Sequence, residues 1–179
     1  QKLQTEYLDA FLVHWPGQDK ARMLDTWKAM EHLYKKGKVK SIGVCNFEIS
    51  QLTYLLEHCE IKPMIDQVEH TQLMHDEKLI SFCKENNIQI MSWGPLLRGN
   101  LENKKMEEIA EKYNKTTAQL LLRWNIQQGI IPIPKSKNEQ RLQQNIDVFD
   151  FEITKEDMEE LNHMNENHRT SFDPLTFDF

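Results

Sequence analysis

Cysteine is scarce in this chain, and the three cysteines present cannot form a closed disulfide framework. Cys45, Cys59 and Cys83 are an odd number at wide spacing, and no C-x-x-C motif occurs among the 179 residues. This pattern argues against a disulfide-rich fold and against a zinc ribbon. Because reduced thiols are typical of cytosolic proteins, we expect a cytoplasmic location.

The sequence also lacks long apolar runs and any excess of positive charge. No apolar run is long enough to span a bilayer, and we expect no signal peptide. The formal net charge of −6 gives no electrostatic reason to expect nucleic acid or an anionic membrane as a partner. A length of 179 residues without a linker or repeat predicts a single domain over residues 1–179.

Several motifs that would reveal chemistry directly are missing. Neither G-x-G-x-x-G nor a Walker loop occurs, so a nucleotide would have to bind by another route. Glu69, His70 and His75 lie close in sequence, but without the H-x-x-x-H or H-E-x-x-H spacing they do not predict a metal site. Cys45 is a weak candidate nucleophile, because nothing in the sequence places a base beside it.

Short apolar runs alternate with amphipathic segments along the whole chain. The runs start roughly 24 to 40 residues apart, which is the spacing of βα units, and their Ile and Val content suits a parallel sheet covered by helices. A short helix over 138–146 and a last helix opened by Thr154 complete the pattern. The predicted strands are Tyr7–Val13, Val39–Val44, Pro63–Val68, Gln89–Ser92 and Gly129–Ile133.

Two α/β architectures fit five such units. One is an open five-stranded sheet, and the other is a partial (β/α)8 barrel that lacks its first three units, since a closed barrel needs eight strands and about 250 residues. The chain begins at Gln1 in the middle of a pattern and without Met, which favours the partial barrel. Its open strand edges would be an association hazard.

Polar and aromatic residues follow the predicted strands at the points where they end. His14 and Trp15 follow the first strand, Asn46 follows the second, and Gln67 lies just inside the end of the third. Strand ends of parallel βα folds meet on one face, where ligands bind. His14 there can polarise a carbonyl or transfer a proton, although a structural histidine beneath a loop is the alternative. The amides of Asn46 and Gln67 suit a planar carboxamide, or equally a loop cap.

The fourth and fifth strands are followed by an aromatic and a basic segment. Trp93 can stack on a flat heterocycle, although a large aromatic at a strand end is more often part of the core. Lys135 and Ser136 precede the predicted short helix, and Arg141 lies within its first turns. Free backbone amides, the helix dipole and two cations favour an anion such as phosphate there, and a solvated basic turn is the alternative.

The same segments resemble the aldo-keto reductases, most closely the bacterial branch that includes the diketogluconate reductases. The resemblance covers essentially the whole chain, including its last residues, Asn167–Phe179. It implies a (β/α)8 barrel that binds NADP(H) without a Rossmann fold and reduces aldehydes and ketones. The matching segments are Leu12–Pro16, Gly37–Phe47, Asp66–Glu69, Ser92–Leu96 and Ile133–Ser136.

The resemblance also implies roles for individual residues. His14 matches the active-site histidine that orients the substrate carbonyl, and Trp15 matches an aromatic residue of the substrate pocket. Asn46 and Gln67 match the residues that hold the nicotinamide carboxamide. The remaining cofactor positions are Trp93 on the nicotinamide ring, Gly94 and Leu96 in the following turn, Lys135, Ser136 and Arg141 on the adenosine 2′-phosphate, and Asn145 near the adenine.

This chain departs from the family pattern in three respects. The family usually has Ser where Cys45 and Gly94 stand, so we expect modestly weaker cofactor binding. The proton-donating Tyr and its Asp and Lys partners match no residue of this sequence. The chain's own tyrosines, Tyr7, Tyr34, Tyr54 and Tyr113, fall on helices or at the wrong end of a strand. We therefore expect no carbonyl reductase activity from this chain alone.

Two other functions remain open at the level of sequence. One is a truncated, non-catalytic NADP-binding or interaction protein whose sheet edges pair with a partner. The other is a phosphate-binding barrel of different chemistry. The resemblance itself implies a small carbonyl substrate and, for a complete enzyme, a monomer.

Overall fold

A computed structural model describes residues 3–178 of the chain. Within that range strands and helices alternate, as the sequence pattern predicts. The strands are β1 (Leu8–Val13), β2 (Val39–Cys45), β3 (Ile65–Glu69), β4 (Gln89–Trp93) and β5 (Ile131–Pro132). The helices are α1 (Lys20–Lys35), α2 (Ile49–His58), α3 (Glu77–Glu85), α4 (Lys104–Lys112), α5 (Thr117–Gln127), α6 (Glu139–Ile146) and α7 (Lys155–Asn162).

The five strands form one sheet in the order β1-β2-β3-β4-β5. The pairs β1–β2, β2–β3 and β4–β5 are parallel, with Val13 opposite Val44, Cys45 opposite Gln67, and Met91 opposite Ile131. The chain forms two compact units. Unit 1 comprises Gln1–Val68, Glu77–Ile90 and Thr170–Phe179, and unit 2 comprises Glu69–Asp76 and Met91–Arg169.

Unit 1 is built on a core between its sheet and its helices. Ile42, Phe47, Leu52 and Leu55 are almost fully buried. The indole N–H of Trp27 on α1 donates to the carbonyl oxygen of Ile61 at 2.9 Å. A buried aromatic that also satisfies its polar atom fixes the position of its helix, so α1 is held firmly against the segment before β3.

Unit 2 has a separate core between α4, α5 and α7. Met106 and Ile109 of α4 meet Leu120 and Trp124 of α5, and Leu161 of α7 closes the cluster. This helical packing gives the segment after β4 a rigid support. Thr154 caps α7, as its sequence position predicts, by accepting a hydrogen bond from the backbone N–H of Asp157.

The expected α/β class is confirmed, and the strand bounds differ from the sequence prediction by up to two residues. The largest difference is β5, which has two residues where the sequence predicts five. Pro132 and Pro134 have no N–H to donate, so they shorten the ladder. A single domain over residues 1–179 stays a prediction. Within 3–178, no helix combines the length and apolarity needed to cross a membrane.

Candidate functional site

Three of the sequence-predicted residues meet at the carboxyl ends of β1, β2 and β3 in unit 1. The side-chain amide of Asn46 donates to the carbonyl oxygen of His14 at 3.0 Å. The backbone N–H of Asn46 donates to the carbonyl oxygen of Gln67 at 2.9 Å. The structure therefore brings His14, Asn46 and Gln67 together, and backbone contacts fix the spacing of the three strand ends.

Asn46 is held in an unusual backbone conformation. Its φ is +61°, in the left-handed region, and only 5% of its surface is exposed. Asparagine tolerates this region better than most residues other than glycine, because its short polar side chain can form local hydrogen bonds. The turn after β2 thus presents the Asn46 amide in one orientation before any ligand binds.

A buried carboxyl group lies beside this turn, on β3. Asp66 is fully buried, and burial raises its pKa well above the usual range, partly opposed by the backbone N–H of Phe47. Neither Asp66 oxygen has a partner at full hydrogen-bond geometry within residues 3–178. The nearby Cys45 thiol is also buried, and burial together with Asp66 raises its pKa to about 12. Cys45 is therefore a neutral thiol, consistent with its weak standing as a nucleophile.

The C-terminal segment of unit 1 packs on Trp15. The Trp15 ring lies 4.8 Å from the ring of Phe177 and 6.4 Å from that of Phe172, and the two phenylalanine rings stack at 4.4 Å. Two glutamine amides hold the segment, since Gln18 donates to the carbonyl oxygen of Phe177 and Gln51 donates to that of Pro174, each at 3.0 Å. His14 lies beside Trp15 at 6.0 Å between ring centroids, so this aromatic cluster borders the histidine.

The other predicted site residues line one cavity in unit 2. The cavity has a volume of about 870 Å³, within the range of small-molecule sites. It extends from the turn after β4 to the first turns of α6. The sequence-predicted residues on its wall are Trp93, Gly94, Leu96, Lys135, Ser136, Arg141 and Asn145.

The part of this cavity that is suited to bind a phosphate is formed by the start of α6. Asn138 caps the helix, and its side-chain oxygen accepts from the backbone N–H of Arg141 at 3.0 Å. The hydroxyl of Ser136 accepts from the backbone N–H of Asn138 at 3.1 Å, which orders the turn before the helix. Lys135 and Arg141 are both exposed. An anion at this end would meet two cations and the positive end of the helix dipole.

Sequence reasoning missed two cations on the cavity wall, Lys137 and Arg98. Arg98 lies in a 3₁₀ turn over Leu97–Gly99 with a φ of +54°, and its guanidinium lies 5.7 Å from the centre of the Trp93 ring. Cations at this distance from an indole face are attracted to it. The signal in the sequence was the Leu-Arg-Gly turn that follows Trp93, where Gly99 marks a sharp change of chain direction.

The histidines that raised the question of a metal site have other contacts. His70 stacks on Trp124 at 4.7 Å, and its Nδ1 lies 2.9 Å from the side-chain oxygen of Asn125. The Nδ1 of His75 lies 3.0 Å from the carbonyl oxygen of Thr71. Burial lowers the pKa of His70 to about 3, so its ring is neutral. Within residues 3–178, no group of three or more His, Cys, Asp or Glu side chains is arranged to hold a metal ion.

None of the four tyrosines lies at the strand ends that carry the site. Tyr7 precedes β1, at its amino end, and Tyr34 and Tyr54 lie within α1 and α2. Tyr113 ends α4, and its hydroxyl hydrogen-bonds to the Asp157 carboxylate. That no local tyrosine replaces the family's proton donor stays a prediction.

Comparison with known proteins places these features in a family. The model of the aldo/keto reductase family matches residues 1–166. Glyoxal reductase from Bacillus subtilis (strain 168) is 46% identical over 175 residues, which is 97% of this chain and 63% of the relative. Methylglyoxal reductase DkgA from Escherichia coli (strain K12) is 37% identical over 180 residues, which is 99% of this chain and 66% of the relative.

A solved structure gives the same result. A mutant of Gox0644 in complex with NADPH superimposes with a TM-score of 0.94 at 38% identity, covering 99% of this chain and 66% of that one. The chain spans somewhat less than two thirds of the length of the curated relatives that it matches. The expected fold class, five βα units of a (β/α)8 barrel, is thereby confirmed. The chain belongs to the aldo-keto reductase family.

Proposed function

We propose that this chain supplies the NADP(H)-binding residues and the substrate-orienting histidine of a carbonyl reductase. The observation that carries the proposal is the unit 2 cavity, whose wall holds the Trp93 indole together with Lys135, Ser136 and Arg141. A flat ring and a phosphate are both present in a nicotinamide adenine dinucleotide phosphate. The donor set therefore fits the cofactor.

Each unit has its own task in this proposal. In unit 1, the amides of Asn46 and Gln67 bind a carboxamide. In unit 2, Trp93 stacks on a flat ring, and Lys135 and Arg141 bind the 2′-phosphate, which selects NADPH over NADH. A bound NADPH would supply the hydride for reduction of a carbonyl carbon. His14 binds the carbonyl oxygen and thereby orients the substrate.

The substrate is proposed to be a small aldehyde or ketone. Two relatives carry the names glyoxal reductase and methylglyoxal reductase, so compounds of that size are the first to test. Phe172 and Phe177 cover Trp15 beside His14, which leaves an apolar and restricted surface next to the histidine. Small dicarbonyls suit such a surface better than bulky sugars.

The chain alone is proposed to bind cofactor without turning over substrate. Reduction leaves an alkoxide that needs a proton, and no tyrosine of residues 3–178 is placed to give one. Loss of a positioned general acid costs on the order of 10²–10⁴ in rate. We further propose a cytoplasmic location, which is supported by the free thiols of Cys45, Cys59 and Cys83.

A cofactor titration tests the proposal. Trp93 lines the cavity, so NADPH is expected to quench tryptophan fluorescence, and NADH to do so only at much higher concentration. The Trp93→Phe variant is the control, because it should bind NADPH while losing most of the fluorescence change. No response of the chain to any nicotinamide nucleotide would contradict the proposal.

A second candidate function is an interaction protein that has lost catalysis. The specific observation in its favour is a group of exposed apolar side chains at one end of the sheet, on and after β5. Such side chains are typical of a surface that another polypeptide covers.

A further inference from the structure

Asp66 is a buried carboxyl group of unit 1 that the proposed reaction does not use. It lies on β3 opposite Val44 of β2, and none of its surface is exposed. Both carboxyl oxygens lack a hydrogen-bond partner at full geometry within residues 3–178. An unpaired charge is costly to bury, so a carboxyl group in this position favours its protonated form.

The titratable groups that face Asp66 come from three elements, and among the described residues none of them is a cation. Cys45 of β2 and Cys83 of α3 are buried thiols, and burial together with Asp66 raises the pKa of each to about 12. Glu48, which precedes α2, adds a like charge that raises the pKa of Asp66 further. The two thiols stay protonated across the neutral range, which leaves the two carboxyl groups as the members of this cluster that can change charge.

One favourable contact links Asp66 to the turn after β2. The backbone N–H of Phe47 interacts with the Asp66 carboxyl group and favours its ionised form. Phe47 directly follows Asn46, and its side chain is almost fully buried. Asp66 also precedes Gln67, whose carbonyl oxygen accepts from the backbone N–H of Asn46 at 2.9 Å. Asp66 therefore adjoins both residues that are proposed to bind the carboxamide.

The conformation of Asn46 makes this turn sensitive to the carboxyl group. Its φ of +61° lies in the left-handed region, which a residue other than glycine keeps only where surrounding contacts hold it. Two such contacts are the hydrogen bonds that Asn46 donates to the carbonyl oxygens of His14 and Gln67. A carboxylate attracts a backbone N–H more strongly than a carboxyl group does, so ionisation would shift the Phe47 peptide and with it Asn46.

We propose that Asp66 is a positioning residue, whose protonated carboxyl group keeps the turn after β2 in the conformation that binds the carboxamide. Loss of the proton draws the Phe47 N–H toward the carboxylate and turns the Asn46 amide away from its ligand. The affinity for a carboxamide is therefore full at low pH and falls as rising pH ionises Asp66. The ligand part of this proposal rests on the proposed function, whereas the movement of the turn does not.

The movement of the turn is measured by NMR without any ligand. In the parent chain, the ¹³Cγ resonance of Asp66 follows its ionisation, and the side-chain ¹⁵N–¹H resonances of Asn46 report the amide. Both should change between pH 5.5 and pH 8.5 with the same midpoint, while the side-chain amide of Gln18, which donates to Phe177, stays constant. An Asp66 resonance that does not change in this range, or an Asn46 amide that does not follow it, would overturn the proposal.

Two variants separate the two carboxyl groups. Asp66→Asn removes the ionisation and should abolish the transition of the Asn46 resonances, whereas the matched control Glu48→Gln should keep it. His14 is present in all three proteins, so any effect of its imidazole on Asn46 is common to them. A transition that survives in Asp66→Asn and disappears in Glu48→Gln would contradict the assignment. The titration of the parent chain decides the question even if a variant fails to fold.

Recognition of the carboxamide is tested with two oxidised cofactors that differ at one group. NADP⁺ carries the carboxamide, and its 3-acetylpyridine analogue has a methyl group in place of the NH₂. The ratio of their dissociation constants is measured by isothermal titration calorimetry, and effects of pH on the shared 2′-phosphate cancel in it. Between pH 5.5 and pH 8.5 the preference for NADP⁺ should fall roughly two- to twelve-fold, the contribution of one neutral hydrogen bond, and it should stay constant in Asp66→Asn.

The outcomes separate this inference from the proposed function. Binding of neither cofactor at any pH, together with an Asn46 amide that follows Asp66, would contradict the proposed function alone. Binding of both cofactors with a preference that does not depend on pH would overturn the positioning role of Asp66 and leave the proposed function intact.

Discussion

The two units of this chain carry site residues of opposite character. In unit 1, Asn46 is buried and fixed by hydrogen bonds to the backbone of two neighbouring strands. In unit 2, Lys135 and Arg141 are exposed at the edge of an open cavity. A neutral amide recognises a ligand only through the direction and length of its hydrogen bonds, so it recognises the ligand best when its own position is fixed. A cation attracts phosphate from several geometries and can stay mobile until the ligand arrives.

The buried ionisable groups of the two units differ in the same systematic way. Burial raises the pKa of Asp66 in unit 1 and lowers that of His70 in unit 2, because burial disfavours the charged form of each group. The stability of unit 1 should therefore fall as pH rises, and that of unit 2 should fall as pH drops. Single substitutions test both differences between the units, that in pH dependence and that in the site residues. They are described below from the largest expected effect on stability or cofactor affinity to the smallest.

The largest expected effect is acid destabilisation of unit 2 through His70. Its folded pKa of about 3 lies below the usual value of 6.5, so the unfolded state binds the proton more readily between these values. Its contribution is fully present above pH 6.5 and is lost as pH falls towards 3, by about 5 kcal/mol at most. Fluorescence of the stacked Trp124 during urea unfolding measures the loss. In the His70→Gln variant, stability should change much less between pH 7 and pH 4.

Arg141 should contribute the next largest effect, and only with the phosphorylated cofactor. Arg141→Ala removes a charge-assisted contact of about 1.5–3 kcal/mol, so NADPH binding should weaken roughly 10- to 150-fold. NADH has no 2′-phosphate, and its binding should change less than about two-fold. The control is Arg22→Ala on α1 of unit 1, which removes the same charge from a residue that does not line the cavity. Equal losses for NADPH and NADH would mean that Arg141 does not bind the 2′-phosphate.

Asp66 should produce the reverse pH dependence in unit 1. Its folded pKa lies above that of the unfolded state, so its contribution is fully present below the unfolded pKa and is lost as pH rises through the folded pKa. Asp66→Asn keeps the shape without the ionisation, so the stability of the variant should change much less than that of the parent chain between pH 5 and pH 8. Thermal unfolding at pH 5 and pH 8 checks this. A variant as pH-sensitive as the parent chain would show that Asp66 is not the group responsible.

The smallest effect is expected at Cys45, next to the carboxamide residues. Cys45→Ser restores the hydroxyl that the family usually has there, and one neutral hydrogen bond contributes about 0.5–1.5 kcal/mol. NADPH affinity should rise roughly two- to twelve-fold by fluorescence titration. Cys59→Ser, beyond the end of α2, is the control and should leave the affinity unchanged. Weaker binding by Cys45→Ser would indicate that this buried position tolerates only a thiol.

Much of this arrangement is predictable from the sequence, because the signals are local. Alternating apolar runs predict the strands, and Asn138 and Thr154 before helical segments predict the starts of α6 and α7, which the structure confirms. The signal that places Lys135 and Ser136 directly before α6 is also local in the sequence. The roles of these residues toward a cofactor stay predictions.

Other features depend on contacts between distant segments, which one sequence does not reveal. The stacking of Phe172 and Phe177 on Trp15 joins residues more than 150 positions apart. Arg98 reaches Trp93 only because the chain turns back at a positive φ. The predicted length of β5 was wrong for a different reason. The prediction followed the apolar pattern and did not take into account that Pro132 has no N–H to donate to the neighbouring strand.

The central claim is that this chain binds NADPH for carbonyl reduction but lacks the proton donor. Deuterium transfer from 4-deuterated NADPH to methylglyoxal tests it most directly, with saturating cofactor binding confirmed by fluorescence in the same sample. The account predicts bound cofactor and no deuterated alcohol in the NMR spectrum beyond the level of a protein-free control. Steady accumulation of deuterated alcohol with the pure chain would contradict it.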